Sequence, residues 1–150
     1  MAERHLTVRR RAAASCSALW AVLADFPNLA EIWDGLKGSQ PVGDQTRGVG
    51  ARRRVDLKPF GSLTETVIAW EDERTLATAN EPSALVPFKS AEATLTLEPA
   101  GDGATMTFDY RYEPRGGPVG GLTGPVIDRL LRRDFERMLT AVEAAALKSG

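Results

Sequence analysis

Histidine and cysteine are almost missing from this chain of 150 residues: His5 and Cys16 stand alone. A single cysteine excludes an internal disulfide and fits a reducing compartment. One histidine and one cysteine supply neither a metal-ligand set nor a Ser/His/Asp arrangement, so no metal and no cofactor are expected. Long apolar runs are lacking as well. Nothing approaches the length of a membrane span, and no stretch of signal-peptide length follows the basic N-terminal residues. The expectation is a soluble, unprocessed, cytoplasmic protein with no integral membrane segment. Net charge is the third scarcity: 19 basic residues against 20 acidic ones leave −1, spread along the chain. No broad field exists to draw in nucleic acid, and no such partner is expected. The arginine triplets 9–11 and 52–54 read as sheet positions, with Asp109 and Glu113 available to Arg9 and Arg11 if their strands are neighbours.

The length suits a single domain, residues 1–150, with a substantial core. His5 to Arg11 alternates, with Leu6 and Val8 on one face and His5 outward, as a half-buried strand does. Ser15 is placed to cap a helix whose apolar positions run from Leu19 to Phe26 and which Pro27 ends. A short helical piece, Asn28 to Trp33, follows. Beyond Asp34, turn signals recur at short intervals around Gly43, Gly48, Pro59 to Gly61, Glu71 to Arg74 and Pro99 to Gly103. The alternating runs between them predict an antiparallel meander.

Hairpin registers decide which polar residues face inward. Closing the loop at Pro59 to Gly61 with Leu57 opposite Leu63 sets Val55 against Glu65 and Arg53 against Val67. Arg53 and Glu65 then lie diagonally on the apolar face; a slip by one residue would instead turn Ile68 and Trp70 inward. In the last hairpin, Leu97 opposite Met106 sets Leu95 against Phe108, Ala93 against Tyr110 and Ala91 against Tyr112. Two alanines facing two tyrosines leave space.

The glycine-rich run 116–124 feeds one long amphipathic segment that reaches almost to the C-terminus. The run fits neither a dinucleotide fingerprint nor a P-loop and reads as a flexible lead into a helix. At about 100° per residue from Ile127, the residues Leu130, Leu131, Phe135, Met138, Val142 and Ala145 fall within about 80° of one direction. Asp134 falls inside that arc at about −20°, where a carboxylate is costly unless paired or used. Arg129, Arg132, Arg133, Glu136 and Glu143 fall on the opposite, solvent side.

The order of strand, two short helices, about six antiparallel strands and a long helix resembles the helix-grip superfamily known as SRPBCC. That superfamily includes START lipid-transfer domains, birch-pollen-allergen-like proteins and polyketide cyclases/dehydrases. The resemblance spans nearly the whole chain. It rests on ASCSALWAVLADFPNLAEIWDGL after the first strand, GVGARRRVDL with LTETVIAWEDERTLATAN, TLTLEPAGDGATMTFDYRYEP, and GLTGPVIDRLLRRDFERML. The closest likeness is to the small bacterial polyketide cyclase/dehydrase-like group. It implies an α+β fold, with a curved antiparallel sheet of six or seven strands wrapped around the C-terminal helix, and a cavity where inward side chains leave room.

Three functions follow as alternatives. The first is a cavity that binds a hydrophobic or aromatic small molecule and acts on it as a cofactor-independent cyclase or dehydratase. Arg53 or Tyr110 would then polarise a ketone, with Asp134 or Glu65 as general base. The second is a non-catalytic carrier or sensor, the loops DLKPFGS and NEPSALVPFK closing over the ligand. The third is a protein-interaction module presenting Leu85, Val86 and Phe88. The expected cavity lining is Trp33, Trp70, Leu95, Phe108, Tyr112, Thr123, Ile127, Leu131, Phe135 and Met138, in a monomer or homodimer.

Overall fold

A computed structural model describes residues 3–31, 36–58, 61–115 and 120–149, the side chains of residues 30, 31, 120–123 and 149 excepted. The first strand, β1 (Arg4–Ala12), leads into α1 (Cys16–Ala24) and a 3-10 helix, Phe26–Glu31. Six strands follow: β2 (Leu36–Pro41), β3 (Arg52–Leu57), β4 (Ser62–Glu71), β5 (Thr75–Pro82), β6 (Phe88–Ala100) and β7 (Gly103–Pro114). The chain ends in α2 (Gly120–Ser149). Ser15 caps α1 as the sequence predicts, its Oγ accepting from the Ala18 amide at 3.1 Å.

All seven strands form one antiparallel sheet in the order β1-β7-β6-β5-β4-β3-β2. Irregularities at Leu36/Gly38, Val67/Ala69 and Phe88/Ser90 bend strands locally, as an extra residue in one strand of a pair does. The inner face carries Leu6, Val8, Val55, Leu63, Val67, Leu95, Leu97, Met106 and Phe108, all buried, and α2 packs against β1, β7 and α1. This is the helix-grip arrangement.

The β6–β7 register is the expected one, Leu97 opposite Met106 and Ala93 opposite Tyr110. The β3–β4 register differs by two residues: Val55 faces Leu63 and Arg53 faces Glu65 directly. A two-residue shift keeps every side chain on its face, so the pairing of Arg53 with Glu65 survives in closer form. The cause is a tighter loop. The Leu57 amide donates to the Gly61 carbonyl at 2.9 Å in continuation of this register, so Leu57 lies opposite Gly61 rather than Leu63. Gly61 adopts a φ of 94°, a conformation side-chain-bearing residues avoid.

The long helix is rotated from the expected setting. Its buried positions Phe135, Leu139, Val142 and Ala146 centre about 90° away from Ile127. Asp134 consequently lies outside the buried face and is exposed. Glu143, expected in solvent, is buried instead. Its carboxylate accepts from the Ala13 amide at 2.6 Å and from Arg10 Nε at 2.8 Å. One turn of reasoning could have found this. Alternation puts Arg4 and Arg10 on the same face of β1 as Leu6 and Val8, six residues or about 20 Å apart. Asp128 and Glu143 are fifteen residues or about 22 Å apart along a helix. Arg4 meets Asp128 at 2.6 Å and Arg10 meets Glu143 at 2.6 Å, so α2 is fastened along β1 at both ends.

The other strand arginines fare differently from expectation. Although β1 and β7 are neighbours, Asp109 binds His5 and Thr7 rather than Arg9, and Glu113 pairs with Lys89. Arg11 donates to the Ala100 carbonyl. Of the glycine run, residues 116–119 lie outside the described residues, while 120–124 belong to α2 itself rather than to a lead before it.

Candidate ligand cavity

Between the inner face of the sheet and the flank of α2 lies a cavity of about 400 Å³. Sheet alternation gives it Leu63, Leu76, Leu95, Phe108 and Ala93, while Leu23, Phe26 and Leu29 close it from the helical segments after β1. The helix contributes Ile127, Leu131, Phe135 and Met138, the edge of its apolar stripe rather than the centre. This splits the role of α2: one face packs on the sheet, and the adjoining face looks into the cavity. The exposed lining residues Leu130 and Asp134 of α2, with Lys58 after β3 and Leu85 after β5, mark the mouth of the cavity.

Polar groups are concentrated on one wall, in two adjacent rows of the ladder. Arg53 of β3 faces Glu65 of β4, which faces Asn80 of β5. In the next row Thr78 faces Ala93, which faces Tyr110. The small Ala93 between Thr78 and Tyr110 leaves room above the sheet, as the sequence suggests.

Arg53 is enclosed and heavily engaged. Its guanidinium lies 4.4 Å from the Phe26 ring centre, Nη1 donates to the Phe26 carbonyl at 3.0 Å, and Nη2 donates to Glu65 Oε2 at 3.1 Å. Glu65 is therefore a paired carboxylate beside its cation. Burial pushes the Tyr110 hydroxyl well above the usual phenol range; a hydrogen bond from Asn80 opposes this and the nearby Glu65 charge adds to it. Tyr110 stays protonated at neutral pH and acts as a donor. Around it Phe88 lies edge-to-face, Phe108 stacked and Phe135 tilted, with Tyr110 and Phe135 4.8 Å apart.

Of the four residues expected to carry chemistry, Arg53, Glu65 and Tyr110 share the enclosed wall, while Asp134 is at the exposed mouth. Leu95, Phe108, Ile127, Leu131, Phe135 and Met138 line the cavity as expected. Tyr112 does not. It is fully buried, and its hydroxyl donates to Asp128, with the Gly124 carbonyl 3.3 Å away. Burial and the Asp128 bond both raise its pKa, while Arg4, chiefly by its hydrogen bond, lowers that of Asp128. Gly124 permits this junction, because a Cβ there would sit 2.8 Å from the Arg4 side chain.

Trp70 is outside the lining too. It stacks edge-on against Trp20 at 5.2 Å and donates to Asp72, a role in closing the structure rather than the cavity. Trp33 and the Thr123 side chain lie outside the described residues. Val86 and Phe88, expected to join Leu85 in an exposed patch, are buried and line the cavity, so that patch does not form.

Sequence reasoning missed Thr78 and Asn80, both buried and both in the lining. The signal was the spacing Leu76, Thr78, Asn80 on one face of β5. It is masked because alanines occupy the alternate positions, so the apolar pattern does not distinguish the two faces.

Among the described residues no group of His, Cys, Asp and Glu is arranged to hold a metal, and no helix is long and apolar enough to cross a membrane.

A seven-stranded antiparallel sheet gripping one long helix, with a largely apolar cavity between them, defines a helix-grip domain of the START and birch-pollen-allergen type. The chain belongs to the family described as polyketide cyclase / dehydrase and lipid transport, whose pattern matches residues 3–146. Solved structures agree on the fold. A Thermus thermophilus protein superposes with a TM-score of 0.83 at 19% identity, covering 98% of this chain and 99% of its own. A START superfamily protein from Mycobacterium smegmatis gives 0.80 at 16% identity, covering 97% and 99%. The protein Ara h 8.0201 gives 0.76 at 11% identity, covering 98% and 99%. Among curated protein sequences none matches the chain.

Proposed function

We propose that this protein binds a hydrophobic small molecule, aromatic or alicyclic in its body, inside the cavity between the sheet and α2. The observation that carries this reading is a cavity of about 400 Å³ with leucine and phenylalanine walls and one localised polar patch. That combination of apolar lining with a few placed polar groups is what small-molecule sites share, and the volume falls in their usual range of about 300 to 1,000 Å³. The family description, with its cyclase and lipid-transport members, supports the same ligand class. Native mass spectrometry of the freshly purified protein tests it. A bound apolar species released on denaturation is the expected result; an empty protein that also fails to take up added apolar ligands would sink the reading.

A second reading is cofactor-independent chemistry on a carbonyl compound, of the cyclase or dehydratase kind. It is favoured by the placement of two donors, Arg53 and the protonated Tyr110, on the same wall as the Glu65 carboxylate. The donors would stabilise a developing enolate oxygen and Glu65 would remove the proton. Asp134 stands at the mouth, so Glu65 is the enclosed base. Replacing Glu65 with Gln then abolishes turnover of a bound carbonyl compound and leaves its binding intact, whereas a carrier returns every ligand unchanged with or without the substitution.

A further inference from the structure

Three residues that line the cavity each hold a buried side-chain atom without a hydrogen-bond partner: Arg53 Nε, Thr78 Oγ1 and Asn80 Oδ1. Their residues are only 7%, 4% and 5% exposed. Native interiors leave few such atoms, and each one normally has a reason. Arg53 stands on β3 and Thr78 and Asn80 on β5, the two strands that flank β4, on one face of the sheet. Glu65 joins Arg53 and Asn80 in one row, and Thr78 is two residues from Asn80 along β5. The other polar atoms of these side chains are occupied. Both Arg53 Nη atoms are spent on Phe26 and Glu65, and the Asn80 side chain hydrogen-bonds Tyr110.

We propose that these three residues form a subsite for a neutral hydroxyl group, an alcohol or phenol, carried by the otherwise apolar ligand. The inference rests on the cavity being the ligand site and specifies what its ligand must bear. The unpartnered set contains one donor, Arg53 Nε–H, one acceptor, Asn80 Oδ1, and one hydroxyl that does either, Thr78. A hydroxyl satisfies donor and acceptor together. A ketone or ether accepts only and leaves Asn80 Oδ1 unpaired. Charge narrows the choice further. Glu65, 3.1 Å from Arg53, already neutralises the guanidinium, so a carboxylate head would place a second negative charge beside Glu65. An ammonium head would face the Arg53 cation.

Four probes of one shape separate these chemistries: naphthalene, 2-methoxynaphthalene, 2-naphthol and 2-naphthoate, each titrated into the protein by calorimetry. The expected order has 2-naphthol binding about tenfold or more tighter than the other three, since a site built for a hydroxyl penalises ligands that leave its polar groups unpaired. Thr78→Val and Asn80→Leu should each bring 2-naphthol toward the naphthalene affinity while naphthalene is held or improved. Thr78→Ser should retain the preference. Thermal melts accompany each variant: Thr78→Val is expected to melt no lower than the parent because it removes an unpaired buried group, whereas Asn80→Leu also gives up the hydrogen bond to Tyr110 and is expected to melt lower. Equal affinity for naphthol, ether and hydrocarbon, or a preference untouched by both apolar replacements, overturns the subsite and leaves the apolar cavity standing. Tightest binding of 2-naphthoate overturns its neutrality. Binding of none of the four overturns the cavity reading itself, and the subsite with it.

Discussion

Glu143 of α2 sits beside the C-terminal end of β1 with its carboxylate held by the Ala13 amide and by Arg10, and these lower its pKa, the backbone bond most. Because the folded-state value lies below the unfolded one, the unfolded chain binds more protons at mildly acid pH. The stabilisation is therefore complete above the unfolded value, near 4.5 for a model glutamate, and is lost as the pH falls through the folded one. Glu143→Gln should cost about 1.5 to 3 kcal/mol near neutral pH, the range for hydrogen bonds to a charged group. The gap between parent and variant in urea midpoint should close as the pH is lowered. A gap that stays constant would mean the charge does nothing there. Asp128 has the same sign, with Arg4 as its main cause.

The same scale shows what an apolar pattern conceals. Arg53, Glu65 and Tyr110 were recognisable as inward because they alternate with clear leucines, valines and a phenylalanine. Thr78 and Asn80 alternate with alanines, which are indifferent to either face, so their inward setting appears only once β5 is laid between β4 and β6.

At the level of elements, the start of β4 is tied to the residue that follows β5. The Ser83 amide donates to the Ser62 carbonyl at 2.8 Å, and Ser83 Oγ accepts from the Ser62 amide at 3.1 Å. Arg115 fixes the loop after β5, donating from Nε to the Val86 carbonyl at 2.9 Å. Gly61 is the point of closest approach: a Cβ there would come within 2.9 Å of Val86 Cγ2, on a backbone with φ of 94°. Gly61→Ala should destabilise the fold by about 1 to 3 kcal/mol, the cost of a strained backbone conformation. It should also separate the loops after β3 and β5 and speed ligand release. Stopped-flow dissociation of a bound fluorescent apolar ligand reads the second effect; an unchanged off-rate with lowered stability would show that these loops do not gate the cavity.

Elements also mark where sequence periodicity reaches its limit. The β6–β7 hairpin was legible to the residue because both strands alternate cleanly. The β3–β4 pair was off by two because a loop can absorb two residues without changing any side chain's face. The setting of α2 was off by about a quarter turn, since a helix beside a cavity has two apolar faces. One packs, at Leu139 and Val142, and one lines, at Ile127, Leu131 and Met138. Centring the wheel on the lining face drew Asp134 inward and pushed Glu143 out, and hydrophobicity does not distinguish the two faces.

For the whole molecule, the cavity is a packing debt held open by the frame around it. Protein interiors normally fill to the density of organic crystals, and unfilled apolar volume costs stability. Here α2 is pinned to β1 through Arg4 with Asp128 and Arg10 with Glu143, so it is fixed along one edge of the sheet and does not settle into the remaining space. Ala93, between Thr78 and Tyr110 at the middle of the wall, is the position where side-chain bulk would fill that space with least disturbance. In Ala93→Leu the added carbons replace contacts the cavity lacks, so the unliganded variant should melt at or above the parent. Ligand binding stabilises the parent by mass action, increasing with ligand concentration relative to Kd. The variant should lose that ligand-dependent rise in Tm because the volume is taken. Thermal melts of both proteins across a titration of an apolar ligand measure the two quantities together. A variant that still gains Tm with ligand would place the binding volume elsewhere in the molecule, and one that melts far below the parent would show that the space above Ala93 is already too narrow for a leucine.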